Sequence, residues 1–160
     1  MLFRSAVRKG ESLGNVVLAC HCLCAGASLG VDKTKVLAEV IGRGIVLVLE
    51  VDDDLVDALR YKKLLLGALI KLVGAHPLLV ADNVYALVVG VLRLYVSDLD
   101  LVGKLLVLEV LESVTKVQGR ALESLRRAVV AILGGAMNDP VGVLRSAAVE
   151  VRNAWYVVGE

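Results

Sequence analysis

The chain has 160 residues, a length that fits one domain and can bury a substantial core. Apolar residues make up 58% of it and aromatic residues only 4%, with a mean hydropathy of +0.76. A net charge of +1 excludes a polybasic or polyacidic field as the basis of binding. The dominance of Leu, Val and Ala favours helix-on-helix packing, so we expect one all-α domain over 1–160. The scarcity of Asn and Gln is typical of thermophilic proteins.

The only stretch long enough to suggest a membrane span or signal peptide is Ser12–Val31, which carries no formal charge. Its polar residues, among them Asn15 and His21, make it a poor spanning segment. Glu11 interrupts the junction with the basic start of the chain, which disfavours a signal peptide. The three cysteines are an odd number, which fits a reducing compartment. We therefore expect a cytoplasmic protein with no membrane partner.

The first clear helical pattern starts at Asp32, where polar residues recur at steps of three, four, four and seven. They are Asp32, Lys35, Glu39, Arg43 and Glu50. This spacing places them on one stripe of a helix and predicts a helix over about 32–50. A strand at the Val-rich segment 45–51 is the alternative.

Further helices are predicted along the rest of the chain, for a total of about seven. They cover about 54–74, 77–96, 100–116 and 119–134, and the last one starts at Asp139. Polar stripes mark the solvent faces of two of them: Lys104, Glu109, Glu112 and Lys116 in 100–116, and Arg120, Glu123 and Arg127 in 119–134. Pro77 marks a helix start, because its missing N–H costs nothing there. The segment Leu78–Val96 is apolar on most sides and is expected to be buried between neighbours. Gly134-Gly135 is expected to end one helix, and Asp139-Pro140 to open the next as N-cap and first helical residue.

Four helix starts share a pattern in which an acidic residue is followed by Val or Leu two and five positions later. They begin at Glu11, Asp54, Asp100 and Asp139. One further helix lies between each pair, so the repeating unit is a pair of helices every ~40 residues.

The last copy has the most specific sequence pattern, Asp-Pro-Val-x-Val-Leu-Arg-x-Ala-Ala over Asp139–Ala148. Its matching residues are Asp139, Pro140, Val143, Arg145, Ala147 and Ala148. Together with the period, this resembles HEAT repeats of the armadillo-like superfamily, over about 11–158. The resemblance implies a right-handed α-α superhelix of stacked helical hairpins. It also implies partner binding, often along the inner surface formed by the second helix of each pair.

A short stack of such hairpins leaves apolar surface open at its ends, because each pair is closed only by its neighbours. Self-association through an exposed apolar patch would cover that surface. We therefore expect a homo-oligomer, with a dimer as the simplest form.

Cys20, His21, Cys22 and Cys24 form the tightest cluster of potential metal ligands. On a helix, Cys20 and Cys24 share one face with His21 beside them, so a zinc, copper or thiol site is one interpretation. The other is that these are small buried core residues. The only other histidine is His76, so no second cluster completes a metal site, and no cofactor is predicted.

Basic and aromatic residues from Arg60 onward are the candidates for partner binding. They are Arg60, Lys63, Arg145, Arg152, Trp155 and Tyr156. Basic residues gathered on one inner face could bind phosphates, which makes nucleic-acid binding an alternative. Trp155 and Tyr156 could anchor a protein interface, or cover the open end of the array within the chain.

No nucleotide-binding loop, serine-nucleophile motif or metalloprotease motif occurs. With only two histidines, the chain offers few candidates for a histidine general acid or base. The sequence therefore favours a non-enzymatic helical-repeat scaffold or protein-interaction module. Nucleic-acid binding and a metal or thiol site at Cys20–Cys24 are the alternatives.

Overall fold

The structure is a computed structural model, and it describes residues 58–159 apart from 82, 98, 118 and 119. Within these residues every element is a helix and there is no strand, which confirms the all-α class. The helices are α1 Ala58–Ala75, α2 Pro77–Ala81, α3 Val84–Val96, α4 Leu101–Val114, α5 Ala121–Ala136 and α6 Gly142–Tyr156. The helix predicted over about 32–50, the starts at Glu11 and Asp54, and the Cys20–Cys24 cluster lie outside the described residues.

The segment predicted as one helix over about 77–96 forms two, so that prediction is wrong. Helix α2 begins at Pro77 as predicted and ends at Ala81, and α3 starts afresh at Val84. Asn83, directly before α3, is in a turn. Asn disfavours helix interiors, because its side chain competes for nearby backbone groups.

The expectation that this segment is buried on most sides holds for one face of α3 only. Val84, Leu87, Val88, Val91 and Leu94 are buried in the core. On the opposite side, Tyr85 is 61% exposed and Val96 is 71% exposed. The helix therefore has one face in the core and one apolar face open.

Helix α4 starts as its acidic residue predicts. The Asp100 side chain accepts a hydrogen bond of 2.8 Å from the backbone N–H of Gly103, which is an N-cap interaction. Lys116 and the two glutamates of its polar stripe, Glu109 and Glu112, are exposed, and Lys104 is half-buried. The 3.6-residue periodicity thus identified the solvent face correctly.

The start of α6 differs from the prediction by two residues. The N-cap position is occupied by Val141, not by Asp139, and Pro140 precedes the helix instead of opening it. The Asp139 carboxylate accepts a 2.9 Å hydrogen bond from the N–H of Val141. Asp139 therefore stabilises a turn through its side chain, as Asp often does, and the helix begins after this turn. Helix α5 runs to Ala136, just past the predicted Gly134-Gly135 end.

The helices pack in two alternating rows. In the first row α4 packs against both α1 and α6, and in the second row α3 packs against α5. Across the rows, α3 packs on α4 and α5 on α6, so each chain-consecutive pair forms a hairpin. Leucine and valine side chains from all five of these helices form one continuous core.

Two ion pairs join successive helices of the first row. Lys63 Nζ lies 3.0 Å from Asp100 Oδ2, and Lys104 Nζ lies 3.9 Å from Asp139 Oδ2. In each case a lysine of one helix meets the acidic residue that precedes the next. Because the lysines and Asp100 are about one-third exposed, the pairs fix orientation more than they stabilise the fold.

Candidate interaction surface

The predicted basic residues lie at two separate places in the first row. Arg60 and Lys63 are in α1, and Arg145 and Arg152 are in α6. Helix α4 packs against both helices and carries the exposed Glu109 and Glu112. The first row therefore presents charges of both signs.

Most of these basic side chains are engaged within the chain. Lys63 is paired with Asp100. Arg145 donates hydrogen bonds of 2.7 and 2.8 Å to the backbone oxygens of Asp139 and Pro140. The Arg152 guanidinium lies 5.7 Å from the centre of the Tyr156 ring, a cation–π contact. Arg60 is exposed.

Trp155 is 0% exposed, and its indole N–H donates a 3.0 Å hydrogen bond to the backbone oxygen of Leu111. Of the two roles open to it, the structure assigns the internal one, and its prediction as a partner-binding residue is corrected. A large aromatic ring fits the space between α4 and α6, and its polar atom is satisfied there. Tyr156, one residue on, is half exposed and stays available.

A mainly apolar surface depression lies in the second row, where the sequence predicted no partner-binding residue. It is formed between α3 and α5 and encloses about 480 Å³. The residues that line it are Tyr85, Val89, Leu92, Arg93, Val96, Ser124, Leu125, Ala128 and Ile132. We refer to it as the α3–α5 groove.

The exposed residues on the two walls of the α3–α5 groove differ in size. Helix α3 contributes Tyr85 and Val96, both exposed, with the half-buried Val89 between them at helical spacing. Helix α5 contributes the exposed small residues Ser124 and Ala128, together with the larger Leu125, which is buried, and Ile132, which is half-buried. In the sequence, α3 is apolar on most sides, which predicts that it is buried. Its exposed side could not be recognised, because the sequence does not show where α5 packs against it.

A second depression of about 540 Å³ lies at the C-terminal end of the described chain. It is lined by Thr115, Val117, Arg120, Leu122, Glu123, Val157, Val158 and Gly159. Arg126 closes this region by donating a 3.1 Å hydrogen bond to the backbone oxygen of Val158. Its lining mixes polar and apolar groups and does not bring together a catalytic or metal-binding set of residues.

Among the residues that the structure describes, two ionisable groups have perturbed pKa values, and both shifts have structural causes. The N–H of Gly103, and then Lys63, hold the pKa of Asp100 below its usual value. Burial, and then the charge of Asp139, raise the pKa of Tyr95. Neither group faces a cluster of other titratable residues, and the described residues contain no group of three or more potential metal ligands.

Among the described helices, none is both long and apolar enough to cross a bilayer. Searches against known protein families, curated proteins and solved structures found no match.

Proposed function

We propose that this protein is a non-enzymatic scaffold or protein-interaction module built from stacked helical hairpins of the HEAT-like kind. The alternation of α1, α4 and α6 with α3 and α5 supports that architecture, since stacked hairpins place alternate helices in two rows. The hairpin pairs α3–α4 and α5–α6 match the repeating unit in the sequence.

The observation that carries the binding role is the α3–α5 groove. Exposed large apolar side chains such as Tyr85 and Val96 are costly to leave in water when they line one depression together. Contiguous exposed apolar surface is a recognised feature of protein-binding sites. The proposed partner is therefore a protein, in the compartment we propose to be the cytoplasm.

Self-association is part of the proposal, because a second copy would cover exposed apolar side chains of α6 such as Val143 and Tyr156. Light scattering coupled to size exclusion, over a range of concentrations, measures it directly. A mass that rises to twice that of one chain supports a homodimer. A constant monomer mass removes self-association and leaves binding of a different protein as the function.

The binding role is tested by affinity purification of the intact chain from cells of its own organism, followed by mass spectrometry. We expect one or a few proteins to be retained in stoichiometric amounts after a wash at 0.5 M salt. Binding through exposed charges alone would be lost in this wash, because the Debye length falls to ~4–5 Å. Recovery of nucleic acid in place of protein would overturn the proposal in favour of nucleic-acid binding.

A further inference from the structure

The α3–α5 groove has the shape expected of a seat for a third helix. Its exposed lining residues are large on α3 and small on α5, so the depression is more open over the α5 side. Helix α3 has 13 residues and is thus ~20 Å long, enough to contact about three turns of a bound helix. Helix axes pack ~8–10 Å apart, and small residues such as Ser124 and Ala128 permit that approach.

Arg93 sets the charge of this groove. It lines the groove and is exposed, and its guanidinium group makes no hydrogen bond or ion pair with any residue that the structure describes. None of the other residues that line the groove carries a carboxylate. An arginine in apolar surroundings is best matched by a carboxylate, which accepts two parallel hydrogen bonds from it.

The remaining charges of α5 strengthen this asymmetry. Its one glutamate, Glu123, lies beside Gly159 at the C-terminal depression, where Arg126 also bonds to Val158. That leaves Arg127, which is exposed and has no partner in the described part of the chain. The second row thus has apolar surface accompanied by unmatched positive charge.

A second copy of the chain is a poor occupant of the groove. In a symmetric dimer the same face meets itself, and the groove lining would offer no carboxylate to Arg93 of the other copy. We propose that the α3–α5 groove binds an amphipathic helix of a different protein. The apolar residues of that helix recur at i, i+4 and i+7 and pack against Tyr85, Val89 and Val96, and an acidic residue at its edge pairs with Arg93. This inference rests on the proposed interaction function.

The test is a selection of helix-constrained 14-residue peptides, displayed as a random library, on the intact chain. We expect enriched peptides to share the apolar spacing and one acidic position. Their affinity should fall by at least ~10-fold for Ala128→Trp, which fills the groove from an exposed helix position. The matched control is Ser146→Trp, an exposed small residue of α6, which should bind unchanged.

Charge reversal makes the pairing specific. Arg93→Glu should weaken the acidic peptides by ~10-fold, and replacement of the peptide's acidic residue by lysine should restore binding to that variant. Val96→Asp is the second blocking variant if Ala128→Trp folds poorly. Thermal melts of all variants establish that the fold is intact.

The outcomes separate the two proposals. Peptides that bind equally well to wild type, Ala128→Trp and Val96→Asp would overturn the groove as the site but leave an interaction function standing. Enriched peptides with no shared acidic position would overturn the pairing with Arg93. If no peptide is enriched, the helix-binding groove is rejected, and the proposed function is judged by affinity purification alone.

Discussion

Trp155 is the residue that ties the end of the described chain into its core. It is completely buried, and its one polar atom bonds to the backbone of Leu111, 44 positions earlier in the chain. A buried ring of this size removes apolar area from water and leaves α6 fixed on α4. The sequence identified Trp155 as important but could not place it, because a C-terminal aromatic residue can cover its own core or that of a partner.

Replacement of Trp155 by alanine is expected to lower the free energy of unfolding by ~3–5 kcal/mol, because it leaves a cavity between α4 and α6. Trp155→Phe keeps most of the packing but removes the donor to Leu111, and should cost ~1–3 kcal/mol. Urea unfolding followed by circular dichroism measures both. Tyr156→Ala, at the exposed neighbour, is the control and should cost under ~1 kcal/mol. Equal losses at positions 155 and 156 would contradict the burial of Trp155.

Asp100 has a capping role that depends on pH. Its folded-state pKa is lowered, first by the N–H of Gly103 and then by Lys63, so its contribution to stability is present above the unfolded-state pKa. That contribution disappears as the pH falls through the folded-state pKa. Asp100→Asn keeps a capping oxygen but loses the charge.

We therefore expect wild type to be more stable than Asp100→Asn at neutral pH, by about 1 kcal/mol or less because the side chain is partly exposed. The difference should begin to shrink below about pH 4, the ordinary aspartate pKa that applies to the unfolded chain, and should disappear as the pH falls through the lowered pKa of folded Asp100. Thermal melts at several pH values between neutral and acidic measure it. A difference that stays constant down to the lowest pH would show that the charge of Asp100 contributes nothing.

At the scale of elements, two glycines in helices allow a matched comparison. A Cβ at Gly103 would lie 2.9 Å from Leu99 Cδ2 and 3.1 Å from Asp100 Oδ1, so it would disturb both a buried leucine and the cap. A Cβ at Gly67, inside α1, would meet nothing within 4 Å. The same substitution should therefore have opposite effects in the two helices.

Gly67→Ala is expected to stabilise the protein by ~0.5–1 kcal/mol, because alanine loses less backbone entropy on folding. Gly103→Ala should destabilise it by ~1 kcal/mol or more, because crowding outweighs the gain in helix propensity. Chemical denaturation of both variants checks this. Stabilisation by Gly103→Ala would mean that Leu99 moves aside without cost.

The elements that the sequence predicted well are those with a local cause. Pro77 fixes the start of α2, Asp100 caps α4, and the period of 3.6 residues marks the solvent faces of α4 and α5. The break before Val84 was missed because apolar residues on both sides of it continue the helical pattern and hide the local preference of Asn83. The start of α6 was displaced because Asp139 can either cap a helix or close a turn, and the same oxygen serves both.

At the scale of the whole molecule, the candidate site could not be predicted from the sequence. The α3–α5 groove joins two helices separated in the chain by all of α4, and neither helix carries a motif. The sequence directed attention to basic residues and to the first row, where Lys63 and Arg145 prove to be engaged internally. The alternation of the rows is what brings α3 beside α5 and leaves their outer faces open.

The central claim, that this protein binds other proteins through the α3–α5 groove, is tested most directly by site-specific photo-crosslinking. A photoreactive phenylalanine analogue replaces Tyr85 or Val96 in the groove, and Glu109 or Ser146 elsewhere on the exposed surface. The chain is expressed in cells of its own organism and irradiated, and its adducts are separated by size and identified by mass spectrometry. We predict a discrete protein adduct from positions 85 and 96 and none from positions 109 and 146. Adducts that form only at positions 109 and 146, or equally at all four, would contradict the account.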